Sequence, residues 1–166
     1  MPIKHRKRQI IFTASSILAI LFLDQYSKFL TSSKLATGES ISVIKSIFHI
    51  TFVKNTGAAF GLFKNGTVIF ILISVAAVVV IAGFILRSIR RGDFSLRPLF
   101  NSGLVLIVSG AMGNLIDRLR VGYVIDFIDV RIWPVFNIAD TSITIGTIFL
   151  VISFILTGPF QQHQRL

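Results

Sequence analysis

Seven carboxylates are the residues of this sequence best suited to chemistry: Asp24, Glu39, Asp93, Asp117, Asp126, Asp129 and Asp140. Two carboxylates held close together cannot both ionise, so they retain one proton between them. The ionised partner can take a proton from water while the protonated one polarises a carbonyl, which hydrolyses an amide without metal or covalent intermediate. Other routes to that reaction lack their residues. The sequence has no cysteine, which removes disulfide scaffolds, thiolate zinc sites and Cys nucleophiles. Its three histidines are His5, His49 and His163, and the helical His pair of a zinc protease does not occur. Aspartates alone would favour a hard cation, but lysines and arginines lie among these acids, so no metal is expected. Ser109-Gly110 offers a serine, yet the nearest candidate base, His49, stands in a strand-like loop.

The elements that must position these acids are membrane spans. The chain has 166 residues, 53% apolar and only 14% charged, with a mean hydropathy of +0.79. A soluble domain is about 25% charged, and 16 Phe beside many Ile, Val and Leu oppose disorder. A transmembrane helix needs roughly 20 mostly apolar residues. Four segments qualify: 9–30, 67–86, 98–116 and 138–157. The first, behind basic Lys4–Arg8, resembles a signal peptide. Asp24-Gln25-Tyr26-Ser27-Lys28 follows it in place of a small-residue cleavage site, so it reads as an uncleaved anchor. No repeat or low-complexity tract appears, and residues 1–166 read as a single polytopic membrane domain with outer loops at about 31–66 and 117–137.

Orientation follows from the cations. Lys4, Arg6, Lys7, Arg8, Arg87, Arg90, Arg91, Arg97 and Arg165 fall in short segments on one side. Lys34, Lys45, Lys54, Lys64, Arg118, Arg120 and Arg131 are spread through the two longer loops opposite. Both termini are therefore expected in the cytoplasm. The net charge of +10 suits anionic lipid head groups; with no single basic face, no nucleic-acid partner is expected. Of the acids, only Asp93 falls on the cytoplasmic side. Asp24 lies near the outer end of the first span, Asp117 just past the third, Asp140 at the start of the fourth, and Asp126 and Asp129 between the last two. Three distant parts of the chain thus send carboxylates to one end of one bundle, where ionisable groups are costly and mark function. Taken singly, each has a plainer role. Asp140 could cap its helix, Asp24 could be interfacial, and Asp117 could pair with Arg118 or Arg120.

The surroundings of these acids are not lipid-facing filler. Residues 109–118 read Ser-Gly-Ala-Met-Gly-Asn-Leu-Ile-Asp-Arg, small residues that permit close helix approach. Asn114, Asp117 and Arg118 follow at a spacing that places them on one face. Asn137 and Asp140 repeat the three-residue spacing at a helix start. Gly122–Asp129 is apolar but for its acids, so Asp126 should be poorly hydrated while Asp129 faces elsewhere. In the first outer loop, Ser40–Ile44 and Ile47–Val53 read as strands, with Phe48, Ile50 and Phe52 alternating with His49, Thr51 and Val53. A small sheet on the membrane is expected there, then a tight turn through Asn55, Gly57 and Gly61.

Five blocks together resemble the lipoprotein signal peptidase (signal peptidase II) family of bacterial inner-membrane aspartyl proteases. They are Asp24-Gln-Tyr-Ser-Lys28, Asn55-Thr-Gly-Ala-Ala-Phe-Gly61, Gly113-Asn-Leu-Ile-Asp-Arg118, Gly122-Tyr-Val-Ile-Asp-Phe-Ile-Asp129 and Phe136-Asn-Ile-Ala-Asp140. The resemblance implies an all-α membrane protein of four transmembrane helices, with a small extracytoplasmic β-sheet in the first outer loop. It implies Asp126 and Asp140 as the catalytic pair, with Asp24, Asn55, Gly57, Asn114, Arg118 and Asn137 supporting site or substrate. Asp117 is assigned to orienting Arg118 or the loop, and Lys28 to head groups or the fold. The implied substrate is a diacylglyceryl-modified prolipoprotein, cut just before its lipidated Cys at the extracytoplasmic face, with no cofactor. A monomer is expected, since four helices can enclose the site. Two other classes compete. An aspartyl protease of the Gly-x-Gly-Asp kind lacks its tetrapeptide here. A transporter would place its acids near the bilayer midplane rather than at one interface.

Overall fold

The computed structural model describes residues 3–57 and 67–157. In chain order the elements are α1 (Ile3–Lys34), β1 (Ser40–Ile44), β2 (Phe48–Asn55), α2 (Thr67–Arg91), α3 (Pro98–Val121), β3 (Val124–Asp129) and α4 (Ile138–Thr157). A 3-10 turn, Phe94–Leu96, leads into α3. All four helices are long and apolar enough to cross a membrane.

The bundle is built around α3, whose apolar span is 56% buried against 6% for α2. Composition explains the contrast. α2 is almost uniformly branched and aliphatic, which suits lipid on most sides. α3 carries Gly103, Gly110 and Gly113 among Ser109 and Ala111, so neighbouring backbones come close. A Cβ added at Gly103 would stand 2.8 Å from the Gly146 carbonyl of α4. Ile85 and Ile89 of α2 pack on Leu104, Val105 and Val108 of α3. Pro98 opens α3, where its missing N–H costs nothing. Gly122 closes it at φ +82°, donating its N–H to the Arg118 carbonyl at 3.1 Å.

Helix ends differ from expectation. α1 runs beyond 9–30 at both ends, α2 reaches Arg91 rather than residue 86, and α3 reaches Val121 rather than 116. Hydrophobicity marks where lipid stops, but the backbone ladder continues through polar helix formers until a terminator such as Gly122. Asp117 and Arg118 therefore belong to the last turns of α3 and not to the loop after it.

The sheet is antiparallel in the order β1-β2-β3. It is thus not confined to the loop before α2: its third strand comes from the connection between α3 and α4. Phe136 extends it, pairing with Ile128 through backbone bonds of 2.7 and 3.1 Å. The expected alternation along β2 also fails. His49 and Phe52 are the buried positions, because a bulge between Ile50 and Val53 shifts the side-chain phase. Phe52, Leu35 and Ile125 form the small core beneath the sheet. The turn after Gly57, with Phe60 and Gly61, lies outside the described residues.

Candidate active site

Asp126 occupies the middle of β3 and is 2% exposed. The β2–β3 register sets Val53 against Asp126 and Asn55 against Val124. That places Asn55 at the strand end, where its Nδ2 donates to Asp126 Oδ2 at 2.9 Å. The Asn55 Oδ1 accepts the Gly57 N–H at 3.1 Å, so the turn backbone fixes which way the amide faces.

Asp140 arrives from another direction, as the third residue of α4. Asn137 caps that helix: its Oδ1 accepts the Asp140 backbone N–H at 2.8 Å. With its oxygen so committed, its Nδ2 is turned to Asp126 Oδ1 at 2.7 Å. One wholly buried amide therefore touches the carboxylate of one aspartate and the backbone of the other. Asn114 of α3 closes the circuit, its Nδ2 donating to Asp140 Oδ1 at 2.7 Å. The Asn114 Oδ1 accepts Lys28 Nζ at 3.1 Å and Asn137 Nδ2 at 3.2 Å. An ammonium has no acceptor to offer, so Lys28 alone dictates that Asn114 presents its NH2 group to Asp140.

Lys28 is 1% exposed and pairs with Asp24 and Asp117, each at 2.8 Å. A head-group role for Lys28 is excluded by this burial. That role is one of two expectations, since a lysine near a helix end usually snorkels; here two carboxylates from α1 and α3 hold it inside. A buried charge persists only when paired and hydrogen-bonded, and both conditions are met. Gln25 completes the layer, its Nε2 lying 2.9 Å from Asp117 Oδ1 and 3.1 Å from Asp24 Oδ2. Lys28 thus takes the fold-stabilising role of the two expected for it, while Gln25 is a neighbour of the site to which the sequence assigns no role; its place beside Asp24 is the available signal.

Asp24 and Asp117 each do a second task. Asp24 Oδ1 accepts the Ala139 N–H of α4 at 2.9 Å, and Asp24 is buried within the protein. Asp117 Oδ2 accepts the Ile125 N–H of β3 at 3.2 Å, anchoring the strand beside Asp126. It pairs with neither Arg118 nor Arg120. Arg118 instead donates to the Asn114 carbonyl at 3.4 Å and lies over Phe70 of α2, 5.2 Å from the ring centroid.

Asp129 faces away, as alternation along β3 requires. It accepts Thr51 Oγ1 at 2.7 Å and the Arg131 N–H at 2.9 Å, and these bonds, the Thr51 one foremost, hold its carboxyl below the ordinary range. Glu39 accepts the Ala36 N–H at 2.8 Å and Asp93 accepts Ser88 Oγ at 2.6 Å; neither joins the cluster. Burial, and then the charge of Asp140, push the Asp126 carboxyl up to about 7, against the pull of Asn55 and Asn137. Asp140 is only half-buried, and its carboxylate is reached by the Asn114 amide and by the Asn137 backbone N–H. The cluster thus combines one enclosed carboxyl, raised to about 7 by burial and by its neighbour's charge, with one that is half-buried.

A family model described as signal peptidase (SPase) II matches residues 16–156. The chain is 46% identical over 148 residues to a lipoprotein signal peptidase of Moorella thermoacetica, covering 89% of this chain and 95% of that one. A lipoprotein signal peptidase of Halothermothrix orenii is 44% identical over 136 residues, 82% and 90% of the two chains. A solved bacterial membrane enzyme superposes with a TM-score of 0.77 at 30% identity, covering 88% of each chain. With the family match extending over most of the chain, from α1 to α4, this protein belongs to the signal peptidase II family, a family of membrane proteases.

Proposed function

We propose that the protein is an intramembrane aspartyl endopeptidase in which Asp126 and Asp140 are the catalytic pair. It removes signal peptides from diacylglyceryl-modified prolipoproteins, cutting the amide before the lipidated Cys. The observation that carries this reading is the Asn137 amide, which ties Asp126 Oδ1 to the Asp140 backbone at the end of a bundle of membrane-length helices. In the reaction the ionised carboxylate of the pair takes a proton from water, whose oxygen attacks the scissile carbonyl carbon. The protonated carboxyl donates to the carbonyl oxygen. The C–N bond then breaks as the pair's proton passes to the leaving amine and a hydroxyl proton of the tetrahedral intermediate returns to the pair, which restores it with one proton and uses no cofactor.

The same reading sets the protein in the bacterial cytoplasmic (inner) membrane as a multi-pass monomer. Both termini are cytoplasmic, and the sheet and aspartates lie at the extracytoplasmic face. Membrane lipids surround it, and the substrate's acyl chains remain among them during cleavage. Asp24, Asn55, Gly57, Asn114, Asp117, Arg118 and Asn137 support the pair or the substrate rather than react. The test is cleavage of a purified lipidated precursor by Asp126→Asn and Asp140→Asn variants. Each should lose at least about 1000-fold in rate, on the order expected when an essential acid or base is removed, while keeping a native melting profile. Asp129→Asn and Glu39→Gln should retain most activity. Full turnover by Asp126→Asn would remove the assignment.

A further inference from the structure

At the end of the bundle opposite the aspartates, α1 and α3 part around a cavity of about 280 Å³. Phe12, Ile20, Phe94, Val105 and Leu106 give it apolar walls, and Thr13 lines it as well. The volume exceeds a single water's share of about 30 Å³ many times over, and walls of this kind do not hold water. Within a bilayer such a slot takes a hydrocarbon chain.

Two further observations define the occupant. The lining residues Phe12, Ser16 and Ile20 recur at four-residue intervals along α1, and the next position toward the helix start is Arg8. Arg97, immediately before Pro98 of α3, follows the 3-10 turn Phe94–Leu96, whose Phe94 lines the slot. Both arginines are exposed, and among the described residues neither belongs to an ion pair. Second, polar side chains at this end of α1 lack partners: the hydroxyl of the lining residue Thr13, and both amide atoms of Gln9 one turn toward the helix start, are buried without a hydrogen bond. Ser15 and Ser16 nearby do bond to carbonyls one turn back. Along α1 from Arg8 the order is guanidinium, the unpartnered Gln9 and Thr13 side chains, then the hydrocarbon wall. A glycerophospholipid presents phosphate, ester carbonyls and acyl chain in the same order.

We propose that this groove is a binding site for one anionic glycerophospholipid, its phosphate between Arg8 and Arg97, its ester carbonyls toward Gln9 and Thr13, and one acyl chain along Phe12, Ser16 and Ile20. The stripe from Arg8 to Ile20 measures ~18 Å at 1.5 Å per residue, close to the depth of one leaflet, about half of a 30 Å core. Under the orientation proposed above this leaflet is the cytoplasmic one, where anionic lipids favour basic flanks. The site itself does not depend on the catalytic assignment.

Delipidated protein in neutral detergent, titrated with phosphatidylglycerol or phosphatidylcholine of identical chains and followed by native mass spectrometry, tests this. Phosphatidylglycerol should bind about tenfold more tightly and raise the melting temperature. The double variant Arg8→Gln/Arg97→Gln should reduce it to the level of phosphatidylcholine, and Ser102→Phe, which fills the slot, should weaken both. Cleavage of lipidated precursor should be unchanged in both variants, which shows that they are folded and separates this proposal from the catalytic one. Equal binding of the two lipids would overturn the proposal. So would the same stabilisation by inorganic phosphate alone, or displacement of the lipid from this groove by a signal-peptide helix.

Discussion

The carboxylate of Asp24 accepts the backbone N–H of Ala139 at 2.9 Å, across 115 residues of sequence. α1 thereby supplies part of the amino-terminal cap of α4, the helix that carries Asp140 one residue later. Asn137 supplies the rest from within the local chain. The position of the Asp140 carboxylate is thus set jointly by a neighbouring helix and by its own.

Removing the Asp24 carboxylate should be felt in both stability and rate. Asp24→Ala leaves Lys28 with one anionic partner and the Ala139 N–H without an acceptor, a loss of about 3 kcal/mol or more. Asp24→Asn retains an amide oxygen for the cap and should be milder. Thermal unfolding together with cleavage rates checks the order; an Asp24→Ala protein as stable and active as the parent contradicts the linkage.

Gly113 should not tolerate a side chain. A Cβ there would lie 2.6 Å from Asp24 Oδ2 and 3.1 Å from the Ala139 side chain, at the point where α1, α3 and α4 meet. Gly113→Ala should cost about 1–3 kcal/mol and lower activity by displacing Asp24 from the α4 cap. Gly83→Ala, in an open position on α2, is the control and should be silent in both measurements.

The rate should fall as pH rises through about 7. The pair needs one proton, and the Asp126 carboxyl holds it up to about 7, so kcat/KM should show a descending limb there. Coupled groups titrate as a pair, and the limb reports the pair's macroscopic value. The Asn55 amide stabilises the ionised form of Asp126, so Asn55→Leu should move the limb to higher pH while lowering the maximum. Stability follows the same sign: the folded state binds the extra proton between about 4 and 7, so this group's contribution declines as pH rises across that window. A flat profile from pH 6 to 9 would count against the shared proton.

Lipidation of the substrate should govern the rate. Each buried methylene is worth about 0.8 kcal/mol, so losing the contact of even four methylenes lowers kcat/KM about 100-fold. Initial rates on lipidated and unlipidated precursors in one detergent give the comparison, and equal rates would place recognition in the peptide alone. Truncation at Phe60, which lies outside the described residues, should also slow turnover if that segment covers the scissile bond.

Much of this architecture is legible in the sequence because lipid imposes a coarse rule. Apolar runs mark the helices, and acids gather where those runs end. The local spacing of Asn137 and Asp140 also announces a capped helix start. What the sequence hides is contact between distant segments. Nothing local to Lys28 indicates that Asp117, 89 residues on, keeps it buried rather than snorkelling. Nothing local to Val124–Asp129 says that it completes a sheet begun before α2, since a six-residue apolar segment pairs with whatever edge the helices present. Asp117 reads as a loop residue because hydrophobicity ends before the helix does.

The Asp24–Ala139 bond also bears on biogenesis. A helix start in a bilayer cannot leave its N–H groups to water, and α4 obtains one of its acceptors only when α1 has packed beside it. An insertion intermediate in which α1 has not yet packed keeps only the local Asn137 cap, so Asp140 stands on a helix end held from one side alone. Proteolytic competence is therefore a property of the finished bundle, and a chain still entering the membrane is harmless to its neighbours. Separately expressed α1–α2 and α3–α4 halves would each be inert and would gain activity only on pairing.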